Sequence, residues 1–390
     1  MICFLGFARP DCFAQNFGVI LNQNLLFTDG EQSYGAVEYS GMAVPWFSAP
    51  LGDRAELYLS GGFGAWYDGE DWKPLPEIYR FEFICTPLPD LRLEIGRVSF
   101  RESLFRTAAG LFDGLAAELN LAGGRLSGGF FYTGLLYKKA ANIYLSPEDK
   151  SDFGDTEVYF ASKRFLAAVN WEKTSVFDSQ GSLALGGLCQ FDLNGGDGGI
   201  HSQYLEAVFA LPLGAAFNTV YGAVLELAEP KGGPYAAFAL SAEVQWILPT
   251  ALSDMLTLTG RFSSGDWSDG AGAFIPVSAE AQGKVLRPML SGIALVEAAW
   301  TARLHRALSV EASGAWYFRT DKTTYAASDM DAGSSSLSLG PELYGGLSWA
   351  PFSDVLLSFG AGVFLPGAGG VFQDDAKPQY RVELVAAVSF

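Results

Sequence analysis

The chain has 390 residues, of which 49% are hydrophobic, 14% aromatic and only 17% charged, with 46 Gly and a net charge of -18. Charged residues fall below the roughly 25% of ordinary soluble domains. The aromatic content excludes a disordered chain, and the acidic excess excludes nucleic acid as a partner. No run approaches the ~18 consecutive apolar residues of a spanning helix, which excludes a helical membrane protein.

In chain order, residues 1–14, MICFLGFARPDCFA, hold a short apolar core from Ile2 to Ala8 and end in Cys-Phe-Ala before Gln15. That small-x-small ending is the pattern of a signal-peptidase site, although the basic start of a signal peptide is missing. We read 1–14 as the remnant of a signal peptide and 15–390 as one domain.

From there on, apolar and polar residues alternate with period 2, the mark of strands with two different faces. At 307–320, Leu308, Val310, Ala312, Trp316 and Phe318 share one face, opposite Ser309, Glu311, Ser313, Tyr317 and Arg319. At 234–248, Phe238, Leu240, Val244 and Trp246 oppose Ser241, Glu243 and Gln245. No helical period fits these segments. The pattern predicts about eighteen strands, with sixteen as the alternative count, near 17–28, 33–42, 54–65, 77–87, 91–101, 112–122, 124–134, 156–172, 181–192, 201–213, 215–228, 234–248, 253–264, 289–303, 307–320, 337–350, 355–366 and 378–390. The run at 156–172 is kept whole, because splitting it at Ser162-Lys163-Arg164 puts a long loop on the wrong rim.

Most of these strands exceed the five or six residues typical of soluble sheets and suit a tilted membrane strand. Connections alternate between tight ones, such as 211–214 and 350–354, and long polar ones at 135–155, 265–288, 321–336 and 367–377. Short turns at one rim and long loops at the other describe an all-β, transmembrane antiparallel barrel. Both chain ends then lie at the short-turn rim, and Trp46, Trp66, Trp246, Trp300, Trp316 and Trp349 are expected in two belts at the headgroup levels.

The chain closes with YRVELVAAVSF, placing Tyr380, Val382, Leu384, Ala386, Val388 and Phe390 on one face. A strand ending in Phe resembles the signal read by the barrel-assembly machinery of outer membranes. The expected surroundings are therefore outer-membrane lipid and that machinery, engaged through Phe390.

Catalysis finds little support. His201 and His305 sit near strand ends without a triad, and Cys85 and Cys189 lie on apolar strand faces as small hydrophobes. The Gly-rich pieces precede no helix, so no cofactor or metal site is expected and the chain is read as a non-enzyme.

Charges on the polar faces carry more information, because Arg or Lys on the lipid face at midplane costs about 2–4 kcal/mol and such residues should face inward. Arg80, Arg92, Arg261, Arg303, Arg319 and Arg381, with Glu82, Glu94, Glu118, Glu243, Glu297, Glu311 and Glu342, are the expected pore lining, each Glu–Arg pair serving either for selectivity or as a bridge between neighbouring strands. The result is a wet lumen of mixed sign that is acidic on balance.

Residues 91–119, LRLEIGRVSFRESLFRTAAGLFDGLAAEL, resemble the alginate-export family of outer-membrane barrels, through Gly96-Arg97 at a strand end and Phe112-Asp113-Gly114 at the next strand start. WYFRTD at 316–321 is similar to that family's aromatic strand and charged loop, and the style of the chain is that of spirochaete barrels. The resemblance implies an eighteen-stranded monomer with an Arg-lined constriction for an anionic polyuronate, carried by Arg97 with Arg101 and Arg106 as neighbours. The acidic lumen departs from it, so the architecture is carried over and the alginate substrate is not. The function expected is an outer-membrane channel passing small hydrophilic solutes or saccharides by diffusion. The alternative is a non-conducting barrel whose long loops bind an external partner.

Overall fold

The computed structural model describes residues 15–30, 33–102, 107–143, 145–155, 157–176, 180–195, 198–267, 270–278, 280–327 and 329–390. The proposed signal remnant and Arg106 lie outside them. The strands are β1 (Asn16–Gly30), β2 (Ser33–Pro50), β3 (Ala55–Tyr67), β4 (Trp72–Leu88), β5 (Leu91–Arg101), β6 (Ala109–Leu121), β7 (Gly124–Tyr132), β8 (Arg164–Val176) and β9 (Gly181–Asp192). They continue with β10 (Ile200–Leu213), β11 (Phe217–Pro230), β12 (Tyr235–Ile247), β13 (Met255–Ser263), β14 (Ile293–His305), β15 (Leu308–Arg319), β16 (Ser338–Phe352), β17 (Val355–Phe364) and β18 (Gln379–Ser389).

Every strand pairs antiparallel with its sequence neighbours, and β1 closes on β18 from Ile20↔Ser389 to Asp29↔Tyr380. Val19 and Phe390 exchange backbone hydrogen bonds of 3.1 and 2.9 Å, so the terminal Phe helps to seal the ring. Closure satisfies backbone groups that an open sheet would leave bare in lipid.

The alternation read from sequence is the inside–outside alternation of this wall. On β11, Tyr221, Leu225 and Leu227 are exposed outward, while Val224, Glu226 and Ala228 are buried. Turns at the rim holding the start of β1 and the end of β18 are short, with only Pro89 and Asp90 between β4 and β5. At the opposite rim, residues 133–163, 264–292, 320–337 and 365–378 form long connections.

Several boundaries differ from expectation: β2, expected to end at 42, runs to Pro50, β4, expected from 77, starts at Trp72, and a third difference moves a loop. The strand expected at 156–172 begins at Arg164, and Ser162 and Lys163 end the preceding loop. That loop contains two helices, α1 (Lys138–Ala141) and α2 (Pro147–Gly154). α2 starts where Ser146 and Asp149 cap each other's backbone N–H groups with Pro147 in the first turn, a strong local start signal.

The Trp residues also divide. Trp246, Trp300 and Trp349 pair with Phe217, Leu256 and Leu357 on the outward face near the short-turn rim, and Trp316 takes the outward face near the other rim. Trp46 and Trp66 depart from the expected belts and share the inward face, where Trp46 stacks on Tyr58 at 6.4 Å and Lys73 sits 5.4 Å over Trp66. Ring stacking and an overlying cation give these two rings partners inside the barrel.

The wall is interrupted at one place. The β4–β5 ladder runs from Leu88↔Leu91 to Phe81↔Arg97 and stops, although β4 continues through nine more residues paired only with β3. That stretch, WKPLPEIYR, holds Pro74 and Pro76, which have no N–H to offer a neighbour. Gly96 marks the break on β5, with φ +123° and a backbone so close to Phe81 that an added Cβ would lie 1.9 Å from its carbonyl oxygen.

Candidate permeation pathway

The long loops turn inward, carried by apolar residues among their polar ones. Leu136, Ile143, Leu145, Phe274, Val277 and Leu290 bury against Val98, Phe112, Phe131, Tyr204 and Val224 of the inner wall. A second cluster joins Leu339, Phe364, Val371 and Phe372 to Ile293, Leu295 and Tyr317.

Buried charges then fix the loop backbones, because an ion in this interior is costly unless paired or hydrogen-bonded. Arg164 is fully buried; it pairs with Asp149 (2.5 Å) and Asp192 (3.1 Å) and donates to Gln190 and the Ile200 carbonyl. Asp149 in turn accepts from the N–H groups of Leu145 and Ser146 and from the Ser162 hydroxyl. Burial pushes its carboxyl up, but the Arg164 guanidinium and these donors outweigh burial and hold it below the usual carboxylate range.

Loop 264–292 is held across the lumen. Glu226 accepts the Ile275 N–H at 2.8 Å, Tyr204 donates to the Ile275 carbonyl, and Ser278 bonds both backbone groups of Ala109 on β6, several strands away. Glu342 accepts the N–H groups of Lys284, Val285 and Leu286 at 2.8, 2.9 and 2.8 Å.

What remains open is flanked by β14–β18, β1 and β2. A cavity of about 410 Å³ toward the short-turn rim is lined by Arg303, Ser309, Glu311, Tyr344, Ser348 and Glu383. A second, of about 270 Å³ toward the loop rim, is lined by Thr28, Glu38, Arg287, Asp329 and Arg381. They meet at the Arg381–Glu383 pair (3.2 Å), with Asn24 donating to Glu383. Lys284 reaches in from the loop, 3.6 Å from Glu311 and 5.2 Å over the Tyr344 ring. Val285 sits so close to Gly362 that a Cβ there would lie 2.7 Å from it, which leaves room for the loop only beside a glycine.

The residues expected to line a pore separate into three groups. Arg303, Glu311 and Arg381 border the open cavities. Arg80 pairs with Glu82 through two nitrogens and lies 4.5 Å over the Tyr58 ring; Arg92 pairs with Glu94 at 2.6 Å. Glu118 shares Arg125 with Glu172, Glu243 accepts from Gln245, and Arg261 donates to Gln282. Glu297 stands opposite Thr259 on the inward face, and Arg101 is exposed at the loop rim.

Three residues are not placed as expected. Glu342 is the loop anchor just described, and Arg319 is buried, donating to the carbonyls of Ser334 and Ser336. Arg97 is cross-strand partner to Asp113, so the motif residues Gly96-Arg97 and Phe112-Asp113-Gly114 do meet in space. All five of its N–H groups are engaged, by both Asp113 oxygens, Glu77 and the carbonyls of Ile78 and Leu135. Val98 and Phe112 enter the interior cluster, so Arg97 and Asp113, one position away, take the other face of the wall. It joins the strands where the β4–β5 ladder ends and has no hydrogen left for a solute.

The sequence does not single out Arg164, which falls in the middle of the strand expected at 156–172, or Lys284, whose loop the pattern leaves free to fill the lumen or to face outward. The apolar residues of 133–163 and 264–292, and the Ser146–Asp149 capping pattern, were the available signals. His201 and His305 are ordinary acceptors, for the Asp192 and Ala307 N–H groups, and Cys85 and Cys189 are free thiols. Among the described residues no group of His, Cys, Asp and Glu is arranged to hold a metal ion.

A closed eighteen-stranded antiparallel barrel with short turns at one rim and inward-folded loops at the other is the architecture of outer-membrane porins. In particular, the chain is similar to Pseudomonas aeruginosa OccK2 (OpdF) in complex with glucuronate, at 12% identity and a TM-score of 0.66 over 96% of this chain and 98% of that one. It is also similar to P. aeruginosa OccK11 (OpdR), at 12% identity and 0.62 over 96% of each chain, and to the outer membrane protein OprD of P. aeruginosa, at 13% and 0.62 over 96% and 94%. No family model matches, and no curated protein matches either.

Proposed function

We propose that the chain is an outer-membrane channel through which small hydrophilic solutes diffuse, its loops at the cell surface and its short turns in the periplasm. The observation that supports this reading is the pair of polar cavities that meet at Arg381 and Glu383 beside the pinned loop. Inward-folded loops narrow the passage to one side of the lumen, and their anchoring to wall charges is what a size-selective pore requires. The alternative, a non-conducting barrel, would leave the open side without a use. Phe390 on the sealing strand is the proposed contact for the assembly machinery.

The lining carboxylates Asp29, Glu38, Glu311, Asp329 and Glu383 outnumber the cations Arg287, Arg303 and Arg381, with Lys284 beside them. Low-dielectric walls focus this field on a passing solute, so a weak preference for cations and neutral sugars over polyanions is expected. Planar-bilayer recordings test both statements. Steady conductance with a reversal potential on the cation side supports the reading. A silent membrane containing folded protein refutes it, and clear anion preference refutes the selectivity.

A further inference from the structure

The interruption between β4 and β5 has no use in a channel for water-soluble molecules. Backbone groups of alternate residues on a strand point to the same side, and on the upper part of β4 that side carries Pro74, Pro76 and Ile78. The two prolines lack the N–H groups that a continued ladder would need. Two of the carbonyls left over, those of Pro76 and Ile78, accept from side chains instead. Tyr159 donates to the Pro76 oxygen at 2.5 Å, and Arg97 to that of Ile78 at 2.5 Å.

The gap is filled by two short pieces of loop 133–163, joined by a bridge between Tyr137 and Phe160. Outward they show apolar surface, with Leu135 57% and Phe160 55% exposed beside Ile78 at 61%. Directly inside lies a cavity of about 330 Å³ bounded by Trp66, Lys73, Leu75, Tyr137, Lys139 and Phe153. Its walls are apolar at Trp66, Leu75 and Phe153, and its three cations, Lys73, Lys138 and Lys139, outnumber the two carboxylates, Asp68 and Asp155. Lys73 is paired with Asp68 and Lys138 donates to the carbonyls of Asp152 and Asp155, whereas Lys139 lies 3.6 Å over the Phe153 ring and, among the described residues, forms no ion pair, with Glu38 the carboxylate acting on it. Rings beside an ammonium outside any ion pair, in a lining with one more cation than carboxylates, suit a molecule with an acyl chain and an anionic head.

We propose that the β4–β5 gap is a lateral doorway through which a single-chain anionic amphiphile passes between the outer leaflet and this cavity, its head at Lys139 and its chain along Trp66, Tyr137 and Phe153. The piece carrying Tyr159 and Phe160 is the plug. It is held by side-chain contacts and one bridge rather than by a ladder, so it can part without unzipping the barrel.

Sodium dodecanoate is the probe, with the full chain in phosphatidylcholine nanodiscs and acetate as the headgroup control. Dodecanoate is expected to bind with one site and acetate not to bind; Lys139→Gln should weaken dodecanoate about tenfold, near the worth of one ion pair. A disulfide between Pro76→Cys and Tyr159→Cys should slow exchange of the bound dodecanoate at least tenfold, reversed by reductant, with ion conductance unchanged. Pro74→Thr with Pro76→Thr, which restores the missing donors, should slow it as well. Equal binding of acetate, no loss in Lys139→Gln, or exchange indifferent to both the disulfide and the threonines overturns the proposal. Conductance recorded on the same protein tests the channel reading separately.

Discussion

Glu342→Ala removes the one carboxylate that holds Lys284, Val285 and Leu286 against β16. Hydrogen bonds to a charged group contribute roughly 1.5–3 kcal/mol each. The three share one acceptor group and water reaches the freed N–H groups once the loop lifts, so the net loss is closer to one strong bond than to three, about 3 kcal/mol. At 1.4 kcal/mol per factor of ten, the population with the loop detached rises about a hundredfold. Detachment withdraws Lys284 from Glu311 and Tyr344 and widens the passage beside Arg381. Single-channel recordings should therefore show frequent transitions to a higher conductance. Glu342→Gln, which keeps an acceptor oxygen without the charge, should show fewer. Heat-modifiable migration on a gel reports that the barrel itself is intact. A folded Glu342→Ala channel with the conductance and gating of the unaltered protein would refute the assignment of Glu342 as an anchor.

Three further outcomes follow from the buried contacts. Arg164→Ala leaves Asp149 and Asp192 without their buried partner, a loss of about 3–5 kcal/mol, and hydrogen exchange across α2 should accelerate by about two to three orders of magnitude while the strands stay protected. Because Asp149 is held below its unfolded value, near 3.9, its contribution to loop stability is present above that pH and is lost as pH falls through the lower folded value. Protease resistance of 145–155 should thus be level from pH 7 to about 5 and fall below about 4, with no such step in Asp149→Asn. Gly96→Ala places a methyl group 1.9 Å from the Phe81 carbonyl at a φ of +123°, so it should sharply reduce the yield of heat-resistant barrel, whereas Gly232→Ala, with open space around it, should not.

The barrel was legible because a membrane strand must present one face to lipid and the other to water. Leu225 and Glu226, adjacent in sequence and on opposite sides of the wall, state that requirement directly. Alternation of loop length sets which rim is which, and it holds even where the start of β8 was misplaced, since moving a boundary within one loop does not change the parity of the strands. The inward direction of Arg80, Arg92, Arg303 and Arg381 follows from the same alternation.

What those charges do was decided only by the tertiary structure. A period of two says that Glu342 and Glu311 both point inward, yet one is consumed by a loop backbone 56 to 58 residues away and the other borders open space. Arg97 carries a motif that reads as a solute contact, but the parting of β4 from β5 turns it into a tie with no free hydrogen. Loops 133–163 and 264–292 carry no pattern that decides between facing outward and filling the lumen, and the few apolar residues in them find partners only on strands distant in the chain. Local pattern determines the wall because each strand's neighbours are its sequence neighbours. The interior is set by long-range contacts, in which one buried carboxylate can be satisfied by any of several backbones, and only the folded chain selects which.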